Sequence, residues 1–503
     1  MRTCLRWALV QVLVCAVGVS GFSLSDLISD LVPLKISTGS TAQNFEGWGT
    51  SLAWFAEYIG CLEDSQQERV ADLLFDAETG LGLQIVRYNI GGSNTTLNAT
   101  NSMRPFAAVP SMLLANGTYN WTLDSKQAGV MLAAQDRGVL IFEAFSNSPP
   151  WFMTVSGDPS GNVNGASDNL APANYDAFVD YLTEVVQYYR EEMNITFRTV
   201  EPFNEPSSTE WQLGNTQEGC HYSPLTQDTI LQKLAASLDA KGLSSEIGIS
   251  ASDEDEYGTS IATFLQYGAA LSVIDQIGTH AYQETLETVI SIPLDLLASQ
   301  AGKRLWMTEY AGGSFNVSDI RTGLALSTQI LGDLKNGGVQ AWIYWQAVEN
   351  IYGPGGLWGF LQMPFGDYGP QDVPWPNIPI QISKQYYAMM QYSKFIKNGW
   401  TILNTDSDIW TLAAMYQDED SNTEIAVVTT NTESSSTSTN WQFGSMSSQY
   451  TVEVYRTSAI ENCTQLTDVV LPTNGVLQYT LPSNSITTFH FTIEAKAAVA
   501  TAG

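Results

Sequence analysis

From residue 45 onward the apolar positions repeat one pattern. A short run of branched and aromatic residues leads into a polar, aromatic-rich loop, then into a stretch with apolar residues three and four apart. The short runs are FEGWGTSLAW (45–54), LQIVRYNI (83–90), GVLIFEAFS (138–146), FRTVEPFN (197–204), EIGISAS (246–252), VIDQIGTHAY (273–282), RLWMTEY (304–310) and QAWIYWQAV (340–348). Near-continuous apolar character over so few residues reads as strands buried on both faces. Between them, residues 65–76, 173–192 and 320–337 carry helical spacing, the last with Gly337 as a stop signal. Eight strands alternating with helices predict an α/β fold, a (β/α)8 TIM barrel. An open doubly wound sheet would show a glycine-rich phosphate loop after its first strand, and the GG at 91–92 follows the second strand without that spacing.

The pattern changes after residue 380. KQYYAMMQYSKFIKNGW reads as the last barrel helix, and then come EIAVVTTN, QYTVEVYRTS, GVLQYTLP and SITTFHFTI, separated by Ser/Thr/Asn loops. Such alternation predicts an appended antiparallel β-sandwich. The expected layout is a signal peptide at 1–20, an amino-terminal segment at 21–44 whose LVPLKIST pairs with the sandwich, the barrel at 45–400, the sandwich at 401–495 and a disordered tail at 496–503.

The signal peptide is read from Arg2 and Arg6, an apolar run and small residues up to Ser20. A membrane anchor is the alternative, but the run is short for a span. Seven N-x-S/T sequons, at Asn94, Asn98, Asn116, Asn120, Asn194, Asn316 and Asn462, agree with export and N-glycosylation. Once the leader is removed, Cys61, Cys220 and Cys463 remain, enough for at most one disulfide. Cys61–Cys220 is the expected pair, with burial of all three thiols as the other reading.

Composition narrows the partners. With 52 acidic and 21 basic residues the chain carries −31, which repels phosphate backbones and disfavours polyanions; no nucleic acid and no membrane are expected, and a monomer is. Fourteen Trp and 22 Tyr in such a chain suit the apolar faces of sugar rings.

Barrel enzymes carry their chemistry at the C-terminal ends of strands. The fourth strand ends in Asn204-Glu205-Pro206 and the seventh in Thr308-Glu309-Tyr310. Pro206 is expected to force Glu205 into an extended conformation and aim it at the barrel mouth. Glu201 lies deeper in the strand and Glu210 beyond it in the loop. Two carboxylates near the barrel axis, one protonated and one ionised, are the apparatus of glycosidic bond cleavage. Salt bridging at strand ends is the plainer reading of either glutamate alone; together they favour catalysis. Trp151, on the rigid Pro-Pro turn of SNSPPWFM, and Trp345, at the end of strand eight, are candidate sugar platforms, and Trp54 is counted with them. Arg87 is placed to meet either a substrate hydroxyl or a carboxylate, and His280 and Tyr282 end strand six. Glu349 receives no catalytic role. His221, His280 and His490 lie too far apart in sequence for a zinc site or a His-based triad, so no metal is expected.

FEGWGTSLAWFA, RYNIGGSN, FSNSPPWFMTVSG, PFNEP, QEGC, GTHAY and WMTEY, in this order, resemble glycoside hydrolase family 30 over nearly the whole mature chain. The resemblance implies a retaining mechanism with Glu205 as acid/base and Glu309 as nucleophile. It further implies that Asn204 bonds the substrate 2-hydroxyl, that Tyr282 helps keep the nucleophile ionised, and that no metal or organic cofactor is needed. GWGTSLAWFAEYIG, RYNIGGSN and WQLGNTQEGC are similar to the endo-β-1,6-galactanase subgroup, which implies a plant cell-wall polysaccharide or proteoglycan glycan as partner. Relatives acting on β-1,6-glucan or xylan are the alternative, and a non-catalytic carbohydrate-binding protein is a third.

Overall fold

The computed structural model describes residues 34–94, 103–282, 287–313, 316–352, 357–366, 373–405, 410–443, 450–467 and 476–494. The expected signal peptide, most of the 21–44 segment, the sequons at Asn98 and the tail lie wholly or partly outside these residues.

Eight parallel strands close into a barrel: Gly47–Ser51, Ile85–Asn89, Ile141–Phe145, Thr199–Glu201, Gly248–Glu254, Gln276–His280, Arg304–Tyr310 and Ala341–Tyr344. The ring is sealed where the first strand pairs with the eighth, Trp48 opposite Trp342. Inside, Ile85, Ile141, Trp306, Ala341 and Ile343 form a separate buried cluster that plugs the barrel. Gly49 is required there, because a Cβ on it would lie 2.7 Å from the Ile85 carbonyl oxygen.

Six of the eight strands end before their expected runs do, where the chain leaves the ladder to build loops; Arg304–Tyr310 matches its run, and Gly248–Glu254 extends two residues past the expected end at 252. Strand four shows why: Pro202 follows Glu201 immediately and has no N–H to continue the pairing. The helical stretches appear as Asp64–Phe75, Tyr175–Glu192 and Ile320–Gly332, the last followed by a wide turn over Asp333–Gly337, with Gly338 taking the left-handed position (φ 65°).

A second sheet of nine strands includes the eight beyond residue 400 and an early strand, Leu34–Asn44. That early strand pairs antiparallel with Thr401–Asn404 and parallel with Thr437–Phe443. All other pairings in the sheet are antiparallel. One face closes on itself around Trp441 and Phe489, whose ring centroids are 5.0 Å apart. Its other face packs on the barrel helices Ile320–Gly332 and Lys384–Ser393, where Leu412, Ala414, Val428 and Ile486 join the barrel's own apolar core. Buried Lys384 pins this contact through its Nζ, which donates to Ser458 O (2.7 Å) and Asn462 Oδ1 (2.7 Å).

Cys61, Cys220 and Cys463 are all free thiols, so of the two readings the bridge is not made; the first two are buried as small apolar groups and Cys463 is partly buried. No helix among the described residues is long and apolar enough to cross a membrane.

Candidate active site

Glu205 sits beyond the end of strand four and Glu309 near the end of strand seven, on different sides of the barrel mouth. The backbone at Glu205 is left-handed (φ 44°), not extended as the following proline suggests. Two hydrogen bonds impose it, one distant and one local: Glu205 N–H donates to the Asp253 carbonyl (2.7 Å) and Trp211 Nε1 donates to the Glu205 carbonyl (2.8 Å). The Glu205 side chain keeps 18% exposure, whereas that of Glu309 keeps 7%. An oxygen of each carboxyl and a ring nitrogen of His280 lie within 4.8 Å of one another.

The two carboxyls live in different surroundings. Glu309 Oε1 accepts a hydrogen bond from the Tyr282 hydroxyl at 2.7 Å, while Oε2 lacks a hydrogen-bond partner and faces Arg87 Nη1 at 3.6 Å. His280 lies between them, with Nδ1 3.2 Å from Glu205 Oε1 and 3.7 Å from Glu309 Oε1, and Nε2 3.2 Å from Asp253 Oδ2. Burial pushes the Glu309 carboxyl up to about 7, against the pull of protonated His280. Burial alone would discharge His280, but Glu309 and Asp253 outweigh it and hold the ring protonated well above its ordinary range.

Arg87 and His280 both meet carboxylates at the base of the site. Both side chains are fully buried. Arg87 Nε donates to Glu143 (2.9 Å), Nη2 to Asp253 (2.6 Å) and Nη1 to the Thr308 carbonyl (3.0 Å), so of its two readings the carboxylate one holds. Glu201 is buried with neither oxygen hydrogen-bonded, and burial followed by repulsion from Asp253 and Glu143 raises its pKa well above the usual range. Glu210 is exposed in the loop.

Trp345 meets Trp54 edge-on at 5.1 Å with both side chains buried, and Trp54 lines a cleft with Arg104, Glu349 and Trp358. The Arg104 guanidinium lies 5.1 Å over the Trp54 ring. Glu349 proves to be buried, and burial lifts it to about 7. Trp151 stays partly exposed on a 3-10 turn, Trp151–Met153, its N–H tied to the Gly92 carbonyl. Asn204 is buried with Oδ1 unpartnered. Sequence reasoning missed Asp253 and Arg104. The place of Asp253 at the C-terminal end of a barrel strand was the signal available for it.

A closed barrel with two carboxyls facing each other at its mouth is the makeup of a glycoside hydrolase. The family model for O-glycosyl hydrolase family 30 matches residues 31–268. An endo-β-1,6-galactanase of Hypocrea rufa is 32% identical over 399 residues, 74% of this chain and 76% of that protein. The chain therefore belongs to glycoside hydrolase family 30. An exo-β-1,6-galactobiohydrolase of Bifidobacterium longum subsp. longum is 27% identical over 62% of this chain, though only 27% of its own length. Among solved structures, a conserved exported protein from Bacteroides fragilis superposes with a TM-score of 0.74 at 20% identity, over 91% of this chain and 100% of its own.

Proposed function

We propose that this chain is a secreted, N-glycosylated, monomeric endo-β-1,6-galactanase that cleaves internal β-1,6-galactosyl linkages in the galactan side chains of arabinogalactan proteins, with retention. One observation carries the stereochemistry. Carboxyl oxygens of Glu205 and Glu309 less than 5 Å apart suit a retaining pair and leave too little room for the water of an inverting one. The sugar and linkage rest on the galactanase names of the relatives.

Glu309 Oε2, the oxygen left without a hydrogen-bond partner, attacks the anomeric carbon while Tyr282 steadies Oε1. Glu205, the more exposed carboxyl, gives its proton to the departing glycosidic oxygen as that bond breaks. The ionised Glu205 then takes a proton from water, whose oxygen attacks the glycosyl ester and frees Glu309. Asn204 bonds the 2-hydroxyl, and Trp151, the one partly exposed among Trp54, Trp151 and Trp345, offers a ring face to the sugars. Export is supported by the amino-terminal apolar run. Glycosylation is supported by Asn116 and Asn316, which are exposed with their sequon hydroxyls bonded to the amide oxygen.

The test is digestion of β-1,6-galactan, β-1,6-glucan, β-1,3-galactan and xylan, with products followed by chromatography and early anomers by proton NMR. Galacto-oligosaccharides from the first alone, released as β-anomers, are expected. Gluco- or xylo-oligosaccharides instead would move the assignment to a glucanase or xylanase, and initial α-anomers would overturn double displacement.

The pH profile carries its own prediction. Glu309 must be ionised to attack, and burial lifts its carboxyl to about 7. kcat/KM should therefore climb about tenfold per pH unit below that point, and a rate already level from pH 5 to 7 would contradict it.

A further inference from the structure

Strand five ends in a run of four acids, Asp253 to Glu256, that looks like a solvated loop. Asp253 is nonetheless completely buried. It sits at a β-bulge, where pairing with strand six shifts register between Ser252 and Glu254, and its backbone is left-handed (φ 60°). A second register shift lies between Thr279 and His280 on strand six. Bulges re-aim side chains; Asp253 is the extra residue of the first, and Thr308 of strand seven, which donates to Asp253 Oδ1, is the extra residue of the second.

Four contacts converge on Asp253. Its Oδ2 accepts from Arg87 Nη2 (2.6 Å) and lies 3.2 Å from His280 Nε2. Its Oδ1 accepts from the Thr308 hydroxyl (2.5 Å), and its carbonyl accepts the Glu205 N–H (2.7 Å). Arg87 and His280 in turn face Glu309 at 3.6 and 3.7 Å, and His280 faces Glu205 at 3.2 Å. We propose, building on the functional reading above, that Asp253 is the positioning residue of the site: it anchors His280 and Arg87 as fixed cations against the two glutamates and holds the Glu205 backbone.

The charged and titratable groups around Asp253 are Arg87 on strand two, Glu143 on strand three, Glu201 on strand four, His280 on strand six and Glu309 on strand seven. Burial opposes ionisation of Asp253, but Arg87 and then His280 overcome it and keep the carboxyl well below its usual range. It is thus a permanent anion that never competes for the catalytic proton. Without it, a buried imidazole has only the glutamates to keep it charged. Glu309 would lose both a repelling anion and an attracting cation, and the cation has the larger influence. Its proton affinity rises and less of it is available as nucleophile.

The test compares wild type with Asp253→Asn, which keeps shape and removes charge. In imidazole nitrogen NMR, where the chain has only three histidines to assign, wild-type His280 should keep both protons well above the ordinary imidazole range, and the variant should lose one at clearly lower pH. kcat should fall on the order of 10²-fold with KM changed less than threefold. The loss should persist on an activated aryl galactoside, and Asp253→Asn combined with His280→Gln should lose little more than either alone. A His280 neutral at pH 7 in wild type, or equally protonated in both proteins, overturns the proposal without reference to substrate, as does strict additivity. If Asp253→Asn does not fold, the wild-type titration decides alone. Failure of the galactanase reading would show separately, as a folded wild type with protonated His280 and no turnover of galactan.

Discussion

Glu309→Gln should leave a folded protein without measurable hydrolysis of β-1,6-galactan, a loss on the order of 10⁴- to 10⁶-fold, as expected when a nucleophile is removed from a unit that acts together. The amide retains the shape and still accepts the Tyr282 hydroxyl, so stability should hold. Relief of a buried carboxyl that burial already disfavours should even help slightly. Glu205→Gln should behave differently. Protonation of the leaving oxygen supplies roughly 10²- to 10⁴-fold, and only where the leaving group needs it. The deficit on galactan should therefore shrink on an aryl galactoside with an acidic phenol, and with that substrate the glycosyl-enzyme should accumulate, because Glu205 is also the base that activates water. Intact-protein mass spectrometry would detect the ester on Glu309. Two variants with equal losses on both substrates would remove the distinction between donor and nucleophile, and undiminished turnover in either would remove that residue from the site.

The parts of this arrangement that sequence discloses are those set by period and by chain position. Strands buried on both faces announce themselves as apolar runs, and their C-terminal ends mark Glu205 and Glu309 directly. What stays hidden depends on contacts between distant segments. Arg87 can be read as a ligand or as an ion pair until Glu143 and Asp253 are known to lie 2.9 and 2.6 Å away, from two other strands. Pro206 predicts an extended Glu205, but hydrogen bonds from Trp211 and to Asp253 override that preference. Asp253 is masked by its own neighbours: an acid run reads as solvent-facing, and its inward turn comes from a bulge, a register event with no sequence period. Cys61 and Cys220 show the same limit, since membership of one barrel does not bring two thiols within bonding range.

The melting temperature should be highest near pH 4–5 and should fall steadily toward pH 8. Burial raises Glu218, Glu309 and Glu349 to about 7, and Glu254 and Asp333 to about 6. In the unfolded chain these groups ionise in the ordinary carboxylate range. Between that range and about 7 the folded state thus holds more protons, so stability declines with rising pH. If only two of these groups remain protonated at pH 6, the slope there is about 2.7 kcal/mol per pH unit. His280 acts with the same sign, because its raised pKa stabilises the fold only while it stays protonated. The opposing groups, Asp253 held low by Arg87 and His280 and others such as Asp168, matter only below the usual carboxylate range. Glu218 offers the cleanest check. Its Oε1 accepts from Gly92 N–H (3.2 Å), the Ser93 hydroxyl (2.6 Å) and Val109 N–H (3.2 Å), contacts that a glutamine oxygen can keep. Glu218→Gln should match wild type at pH 4.5 and exceed it at pH 8, flattening the curve of melting temperature against pH. A wild-type curve that is level or rising from pH 5 to 8 would mean that these carboxyls are ionised inside the fold, and with them the basis for expecting the catalytic pair to share a proton near neutral pH would go.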